Sequence, residues 1–569
     1  MKIKGIGASK GVAIAKVFKI EELPLEVTKN SDDPQKELKL YQDAISKVTE
    51  KINKTKELAQ DPEHAAIFEA HLNFVTDPYA NESITNMILN DKVSAEYATK
   101  EFYNQFADMF LAMDDEYMRE RAADVKDVAK KMLFALNGIE EADLAAIDTE
   151  VIIVAEDLSP SQTVQLNKKF VKGFVTNIGG PTSHTAIMAR SLGIPSVVGT
   201  NSIMSACKNG DIIALDGSKG DVVVNPTQEE IKKFELAMQQ YKEYLERIKA
   251  LKGKASVSKD GRHIEIAANI GTPNDLMSVL DNDAEGIGLF RSEFLYMDNQ
   301  NWPTEEEQFQ AYKKVLEGMN NKRVVIRTLD IGGDKTLKYY KFPEELNPFL
   351  GYRAVRFCLQ NLDIFKTQLR ALIRASYYGK LAIMIPMITN VDEFLQAKEV
   401  FEQTYLELKQ ENAQIAPREN IEFGLMMETP AAAVLSDVFC KYADFVSIGT
   451  NDLIQYSMAA DRMNENISYL YQPLNPSILR LIKMVIDGAH KNNKWAGMCG
   501  EMAGDSKALP ILLGLGLDEF SMSASNVLAA RELASKLDYQ QMKELANKAI
   551  MLDDQTQVLD LLKKELKDI

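Results

Sequence analysis

At 569 residues the chain is too long for one hydrophobic core, and two to four domains are expected. A net charge of −17 argues against nucleic acid or an anionic membrane as the main partner, and leaves a basic partner or a simple solubility margin. No apolar run is long enough to cross a membrane, and the opening MKIKGIGASKGVAIAKVF lacks the unbroken apolar stretch of a signal peptide; Cys207, Cys358, Cys440 and Cys499 show no CxxC spacing, so a cytoplasmic protein with free thiols and no membrane insertion is expected.

Residues 1 to about 20 are glycine-rich and strand-like, with Val12, Ile14 and Val17. From Pro34 to about Asn137 the apolar residues recur with a helical period, almost without glycine. From Val151 the texture returns to strands and short helices: VIIVA, FVKGFVTN, SVVGT, DIIALDG and DVVVNP. This pattern predicts a small α/β domain formed by 1–20 and 145–226, with an all-helical subdomain, 21–144, inserted in it. TQEEIKKFELAMQQYKEYLERIKALKG then reads as one long charged amphipathic helix, and 227–255 is expected to link two domains.

Residues 256–569 contain eight apolar strand-like runs separated by segments long enough for helices. They are HIEIAANIG (263–271), GIGLFRSEF (286–294), RVVIRTLDIGG (323–333), LAIMIPMIT (381–389), IEFGLMMETP (421–430), DFVSIGTND (444–452), WAGMCGE (495–501) and EFSMSAS (519–525). Regular alternation of this kind predicts a closed (β/α)8 barrel. An open doubly wound sheet fits less well, because no GxGxxG follows the first strand.

Barrel active sites lie where strands end and the following loops begin. The second run ends in Arg291 and Glu293; the third gives Arg327, Asp330 and the loop Gly332-Gly333-Asp334-Lys335. The fifth ends in Glu428, the sixth in Asn451 and Asp452, and the seventh in Cys499, followed by Glu501. A pair of carboxylates with room for other oxygens suits Mg²⁺, and arginines beside them suit a phosphate and a carboxylate. Any one of these residues is equally compatible with a strand-end ion pair; the convergence of six at matching positions favours a site. A free thiol is more often a small buried apolar group, but at a strand end Cys499 can serve as an acid.

A second candidate lies in GGPTSHTAIMARSLGIPSVVG (179–199). Gly179 and Gly180 permit a tight turn, Thr182 or Ser183 can cap a helix starting near His184, and Ile187, Met188 and Leu192 are expected to form its buried face. The open N–H groups and positive dipole end there favour a neutral imidazole and would stabilise an attached phosphoryl group. The plain alternative is a polar histidine satisfied within a loop.

GGxTSHTAIMAR, FRSEFL with PTEEEQF, IRTLDIGGDK, NPFLGYRA, METPAAA, SIGTNDLIQYSMAADR and MCGEMAGD together resemble the phosphoenolpyruvate–protein phosphotransferase family, enzyme I of the bacterial sugar phosphotransferase system, over nearly the whole chain. The resemblance implies that His184 takes the phosphoryl group of phosphoenolpyruvate and passes it to a histidine of the phosphocarrier protein HPr, releasing pyruvate. It implies substrate contacts at Arg291, Arg327, Asn451 and Arg462, assisted by Lys335. It further implies Mg²⁺ ligands at Glu428 and Asp452, a proton donor at Cys499, and a hydrogen bond from Thr163 to the histidine. The helical subdomain would dock HPr, and a homodimer would form through the barrel. Within that subdomain the segment from Pro62 to Pro78 sets Glu63, Glu69 and Asp77 among Ile67, Phe68, Leu72 and Phe74, which suits a small partner with a basic rim or else is an ordinary amphipathic helix with a solvated acidic face.

One position departs from the pattern: Pro181 stands where this family usually has arginine. A pyruvate-phosphate dikinase or phosphoenolpyruvate synthase would share the barrel and the histidine, but needs a nucleotide-binding domain for which the chain has no glycine-rich loop. A pyruvate-enolate lyase or aldolase would leave His184 idle, and a regulatory scaffold would leave the barrel's charged set idle.

Overall fold

The structure is a computed structural model. It describes all residues except 21–26, 59–61, 112–115, 140–143, 145–146, 160–161, 164–165, 168, 181–182, 298, 334, 336, 338, 463 and 567–569. The chain divides into two compact units, Met1–Leu245 and Glu246–Ile569. Among the described residues no helix is long and apolar enough to cross a membrane.

In the first unit, an eight-stranded mixed sheet is assembled from both ends of the unit. Val12–Lys19 lies parallel to Val151–Ala155, which continues in parallel to Val171–Thr176 and Ser196–Val198. The central strand, VIIVA, is buried along its whole length, as expected of a parallel strand covered on both faces. Between Lys19 and Val151 the chain forms a helical bundle that includes Pro34–Leu58, Pro62–Val75, Pro78–Asn90, Ala95–Leu111 and Glu116–Leu136. Tyr41, Ile52, Phe68, Ile84, Ile88, Tyr103, Val125 and Met132 form its separate core.

The surface proposed from Pro62 to Pro78 needs revision. Phe68 is 1% exposed and belongs to that core, so it cannot anchor a partner. Asp77 caps the helix Pro78–Asn90, accepting the Ala80 N–H at 2.8 Å. Glu69 is exposed and pairs with Lys56, while Leu72 and Phe74 are half-buried against the core. The side chains of Glu63 and Ile67 lie outside the described residues.

The second unit is a closed barrel of eight parallel strands: Glu265–Ile270, Ile287–Arg291, Arg323–Arg327, Lys380–Ile385, Glu422–Met427, Phe445–Ile448, Trp495–Met498 and Glu519–Ser523. Each of the eight runs singled out in the sequence supplies one strand. A single apolar core fills the space between the strands and the surrounding helices. Inside the barrel, Leu289, Val325, Ala382, Met384, Met426, Phe445 and Cys499 pack together. All strands run the same way, so their C-terminal ends open on one mouth.

Candidate active site

The mouth of the barrel is a lattice of buried charge. Arg291 and Arg327 end adjacent parallel strands in register. Two guanidinium groups held side by side repel one another unless anions intervene. The Arg327 guanidinium donates to Glu293, and its other terminal nitrogen lies 3.0 Å from Asp330. Lys335 Nζ reaches Glu293 at 2.7 Å and Asp330 at 3.3 Å, and Arg353 closes the ring at 2.8 Å from Asp330. Burial alone would raise both carboxyl pKa values. Arg327 and Lys335 hold Glu293 below the usual carboxylate range, and Arg353, Lys335 and Arg327 hold Asp330 well below it.

The backbone is bent to build this ring. Gly332, at φ +109°, lies so close to Arg353 that an added Cβ would stand 2.6 Å from the arginine's own. Ala354 adopts φ +54° beside that arginine. Ser292 Oγ donates to the Arg327 carbonyl at 2.6 Å and accepts from Gln368 at 2.9 Å, tying the ends of the second and third strands together.

Arg291 is half-buried and makes no hydrogen bond or ion pair with any described residue. Asn451 uses its amide oxygen to accept from Tyr471 Oη at 3.2 Å and from the Glu501 N–H at 3.4 Å. Arg462 sits where its charge is felt by that same tyrosine, and its backbone N–H donates to Gln455 at 3.1 Å. The mouth therefore gathers Arg291, Arg327, Lys335, Asn451 and Arg462. Asp334 lies outside the described residues.

Glu428 is wholly buried. Its Oε1 accepts the Met387 N–H at 2.6 Å, with Met387 held at φ +59°, while Oε2 has no partner among the described residues. Burial, then the neighbouring Asp452 and Asp330, push its carboxyl up to about 8 against the pull of Arg327 and Arg353. Asp452 itself lies 3.6 Å from Arg353. A lone buried oxygen on a carboxyl pressed by other carboxyls is a position that a divalent cation would relieve. Among the described residues no group of three or more potential metal ligands comes together. Glu428 and Asp452 are the two carboxylates that could hold a divalent cation here.

Cys499 is 2% exposed and points into the barrel rather than standing open at the rim. Burial is the main cause that pushes its thiol up to about 11, so it is a stronger proton holder than the ordinary thiol value suggested. All four cysteines are buried free thiols.

In the first unit, the strands Val151–Ala155 and Val171–Thr176 end at the same edge of the sheet, and the helix His184–Leu192 starts after the second. Ser183 is its cap, accepting the Ala186 N–H at 3.4 Å, and Gly193 closes it in the left-handed conformation. Gly179 takes φ +109°, with the Ser183 hydroxyl 3.1 Å from where a Cβ would stand. His184 is the first helical residue; its side chain and Pro181 lie outside the described residues.

The buried face of this helix is only partly the one expected: Leu192 packs against the core that includes Ala189, but it is not the most buried residue. Ala186 and Ala189 are fully buried, whereas Met188 and Leu192 are only half-buried; the Ile187 side chain is outside the described residues. Small residues are needed there because the helix lies directly on the strand Ile6–Ser9. Ala186 packs on Ala8 and Val198, and Ser9 Oγ donates to the Ala189 carbonyl at 3.3 Å. Thr185 Oγ1 donates to Asp157 at 2.8 Å, tying the helix to the loop that follows Val151–Ala155. Thr163 is on that loop, 3% exposed, its N–H donating to the Ser159 carbonyl at 3.1 Å.

Sequence reasoning counted Glu293 and Asp330 but not the ring they close, and it missed Arg353. The signal for Arg353 was its place in NPFLGYRA, a motif otherwise without a charged residue.

Three families of PEP-utilising enzyme segments match the chain: the N-terminal region over residues 4–121, the mobile domain over 147–220 and the PEP-binding domain over 245–539. Phosphoenolpyruvate-protein phosphotransferase of Mycoplasma capricolum subsp. capricolum is 54% identical over 100% of this chain and 99% of its own length. The proteins of that name from Listeria innocua and Staphylococcus aureus are each 53% identical over 99% of both chains. Identity of this extent spans the helix that opens at His184 and the charged ring of the barrel alike, and the chain belongs to the phosphoenolpyruvate-protein phosphotransferase family of enzymes.

Proposed function

We propose that the protein transfers the phosphoryl group of phosphoenolpyruvate to its own His184, releases pyruvate, and passes the group on to a histidine of the phosphocarrier protein HPr. The observation that carries this reading is Arg291, an arginine with no ion-pair partner among the described residues, in register with Arg327 at the barrel mouth. Such a pair suits an anion bearing both phosphate and carboxylate. Lys335, Arg462 and the amide of Asn451 complete the substrate set.

Glu428 and Asp452 would hold Mg²⁺ through the vacant Oε2 and the Asp452 carboxylate. Bound there, the ion would neutralise charge on the departing phosphate. Phosphoryl transfer needs positioning and charge neutralisation more than covalent help from the protein. The ring of Glu293, Asp330, Arg327, Lys335 and Arg353 provides rigidity: each cation is pinned before substrate arrives, so little reorganisation remains.

The Cys499 thiol, kept protonated by burial, gives its proton to the methylene carbon of the enolate left by transfer. This traps the product as pyruvate. At His184 the chain contributes the open N–H groups and dipole of a helix start, which would steady the phosphoryl group in transit. Thr163, on the loop tied to that helix, would hydrogen-bond the imidazole and fix its tautomer. HPr would dock on the helical bundle, and two copies would associate through the barrel.

Purified protein given phosphate-labelled phosphoenolpyruvate and Mg²⁺ tests the reading. Acid-labile, base-stable label on the chain without nucleotide supports it; label that requires ATP, or none at all, overturns it.

A further inference from the structure

If Cys499 protonates the enolate, it is left as a thiolate in the barrel interior and must be recharged before the next turnover. The mouth is occupied by substrate at that moment. On the opposite side of the thiol lies Glu519, to which neither the motifs nor the mechanism gave a role.

Glu519 opens the last barrel strand and is 1% exposed, and neither carboxyl oxygen has a hydrogen-bond partner among the described residues. Burial, and then Glu265, raise its pKa well above the usual carboxyl range; Arg323 and the nearby Met498 N–H, which lies outside ordinary hydrogen-bond geometry, pull the other way and lose. A carboxyl kept for stability would be paired, since a buried polar group left unpaired destabilises the core. Instead the barrel makes room for it. A Cβ at Gly288 would stand 1.8 Å from Oε1, and one at Gly497 would stand 2.2 Å from Oε2.

Gly497 places this niche relative to the thiol. Cys499 directly follows the strand that holds Gly497, two residues on, and so faces the same side, about 7 Å further along the chain. Ser447 is its partner in register on the neighbouring strand. The buried Ser447 hydroxyl neighbours the thiol and has no hydrogen-bond partner of ordinary geometry among the described residues. On its other side Glu519 is in register with Glu265, whose side chain is 23% exposed and lies 3.4 Å from Arg323. Arg323 also reaches Glu422 at 3.4 Å and stacks on Trp495. Glu285, Glu422 and His263 are the other charged or titratable groups that face Glu265. Toward the mouth, the thiol is flanked by Arg327 and Glu428.

We propose that Glu519 is the proton reservoir behind Cys499, recharging the thiol from the N-terminal face of the barrel without touching substrate. The inference rests on the reading of Cys499 as the acid. The S–H bond breaks as the C–H bond of pyruvate forms. No hydrogen bond joins Glu519 to Ser447 at rest, so the two side chains must first turn toward one another. Ser447 then gives its hydroxyl proton to the thiolate while accepting the Glu519 proton, and Glu519 is refilled through Glu265 from water. One solvent proton enters per pyruvate formed, and nothing is oxidised or reduced.

The test separates proton supply from chemistry. Full-length protein in D₂O with phosphoenolpyruvate, Mg²⁺ and carbon-labelled pyruvate supports two measurable exchanges. Carbon label moves from pyruvate into phosphoenolpyruvate when the thiolate takes a methyl proton and later returns it. Deuterium enters the pyruvate methyl only when that thiol proton is replaced from solvent in between.

Glu519→Gln, nearly the same size and neutral like the buried acid, should leave carbon exchange within about threefold of the native rate while deuterium entry falls by about tenfold or more. Ser447→Ala should show the same split with Glu519 intact, which guards against a folding defect in the first variant. Both exchanges falling together, or neither changing, would overturn the proposal. If Cys499→Ala leaves both exchanges at the native rate, the assignment of the acid is what fails, and the two failures are told apart.

Discussion

At the barrel mouth, five charged side chains from two adjacent strand ends and their loops are fixed by pairing with one another before any ligand arrives. Arg327 touches Glu293 and Asp330, Lys335 touches both, and Arg353 locks Asp330. At the start of the helix His184–Leu192 the preparation is of another kind: one capping hydroxyl, a glycine at φ +109° and the open N–H groups of the first turn. The first region would hold an anion with full charges whose desolvation is already paired off; the second would hold one with backbone partial charges. A substrate that must be bound tightly and cleaved suits the first arrangement, and a group that must be accepted and released again suits the second.

Removing the proposed nucleophile should separate these regions completely. His184→Ala is expected to abolish acid-labile, base-stable phosphate on the chain while Mg²⁺-dependent binding of phosphoenolpyruvate stays near the native affinity. Titration calorimetry alongside phosphate labelling checks both halves. Label persisting in the variant would move the nucleophile elsewhere.

Next in size is the acid proposed for the barrel. Cys499→Ala should lower turnover by about 100- to 10,000-fold with little change in substrate affinity, because the acid acts after the phosphoryl group has left. A loss of less than about tenfold would make Cys499 a packing residue only. Its raised pKa adds a pH dependence. The unfolded chain releases this thiol's proton near its ordinary value of 9.0 and the folded protein near 11, so the folded state holds more protons in that interval. The stability this group contributes is therefore complete below about 9 and declines as pH rises toward 11, a decline that Cys499→Ala should remove from denaturant titrations.

A third change tests whether the ring is rigid because it is paired. Arg353→Met leaves Asp330 buried with two cations instead of three and should destabilise the barrel by about 3 kcal/mol, read from urea unfolding. Asp330→Asn combined with Arg353→Met should recover part of the loss, since the pair is then removed together. Equal losses for the single and double variants would mean that the ring stabilises nothing.

How far the sequence could see follows the same division. The eight barrel strands were legible because each is a short apolar run that ends in polar chemistry, and the strand ends declared their mouth. The pairing of Glu293 with Lys335 and of Asp330 with Arg353 joins residues 42 and 23 positions apart, and no local periodicity records which carboxylate meets which cation. Glu519 was visible as a strand residue. Its inward direction was not, because the alternation of a strand that is buried on both faces has no polar side to fix its phase. At His184 the start and the cap were legible from GGPTSH, but the buried face was assigned to the large apolar residues. The helix lies too close to Ile6–Ser9 for them, and alanines take the contact.

The smallest effect concerns the cap, and it asks whether the helix start acts through geometry or through charge. Ser183→Ala removes the acceptor for the Ala186 N–H and should cost about 0.5–2 kcal/mol of local stability. It frees that N–H for the phosphoryl group at the same time, so the lifetime of phosphorylated His184 should change little. Ser183→Asp keeps a cap and places a negative charge beside the dipole's positive end, which favours the empty helix by about 0.3–1 kcal/mol. The same carboxylate repels a second anion. If backbone partial charge is what steadies the phosphoryl group, Ser183→Asp should fold at least as stably as the native chain yet lose its phosphate faster and charge more slowly. Ser183→Ala should do the reverse: weaker folding with a nearly native phosphate lifetime. Thermal unfolding and the hydrolysis rate of the phosphorylated protein, measured on both variants, decide the matter. Parallel changes in stability and lifetime would mean that the cap, and not the field of the helix start, holds the site together.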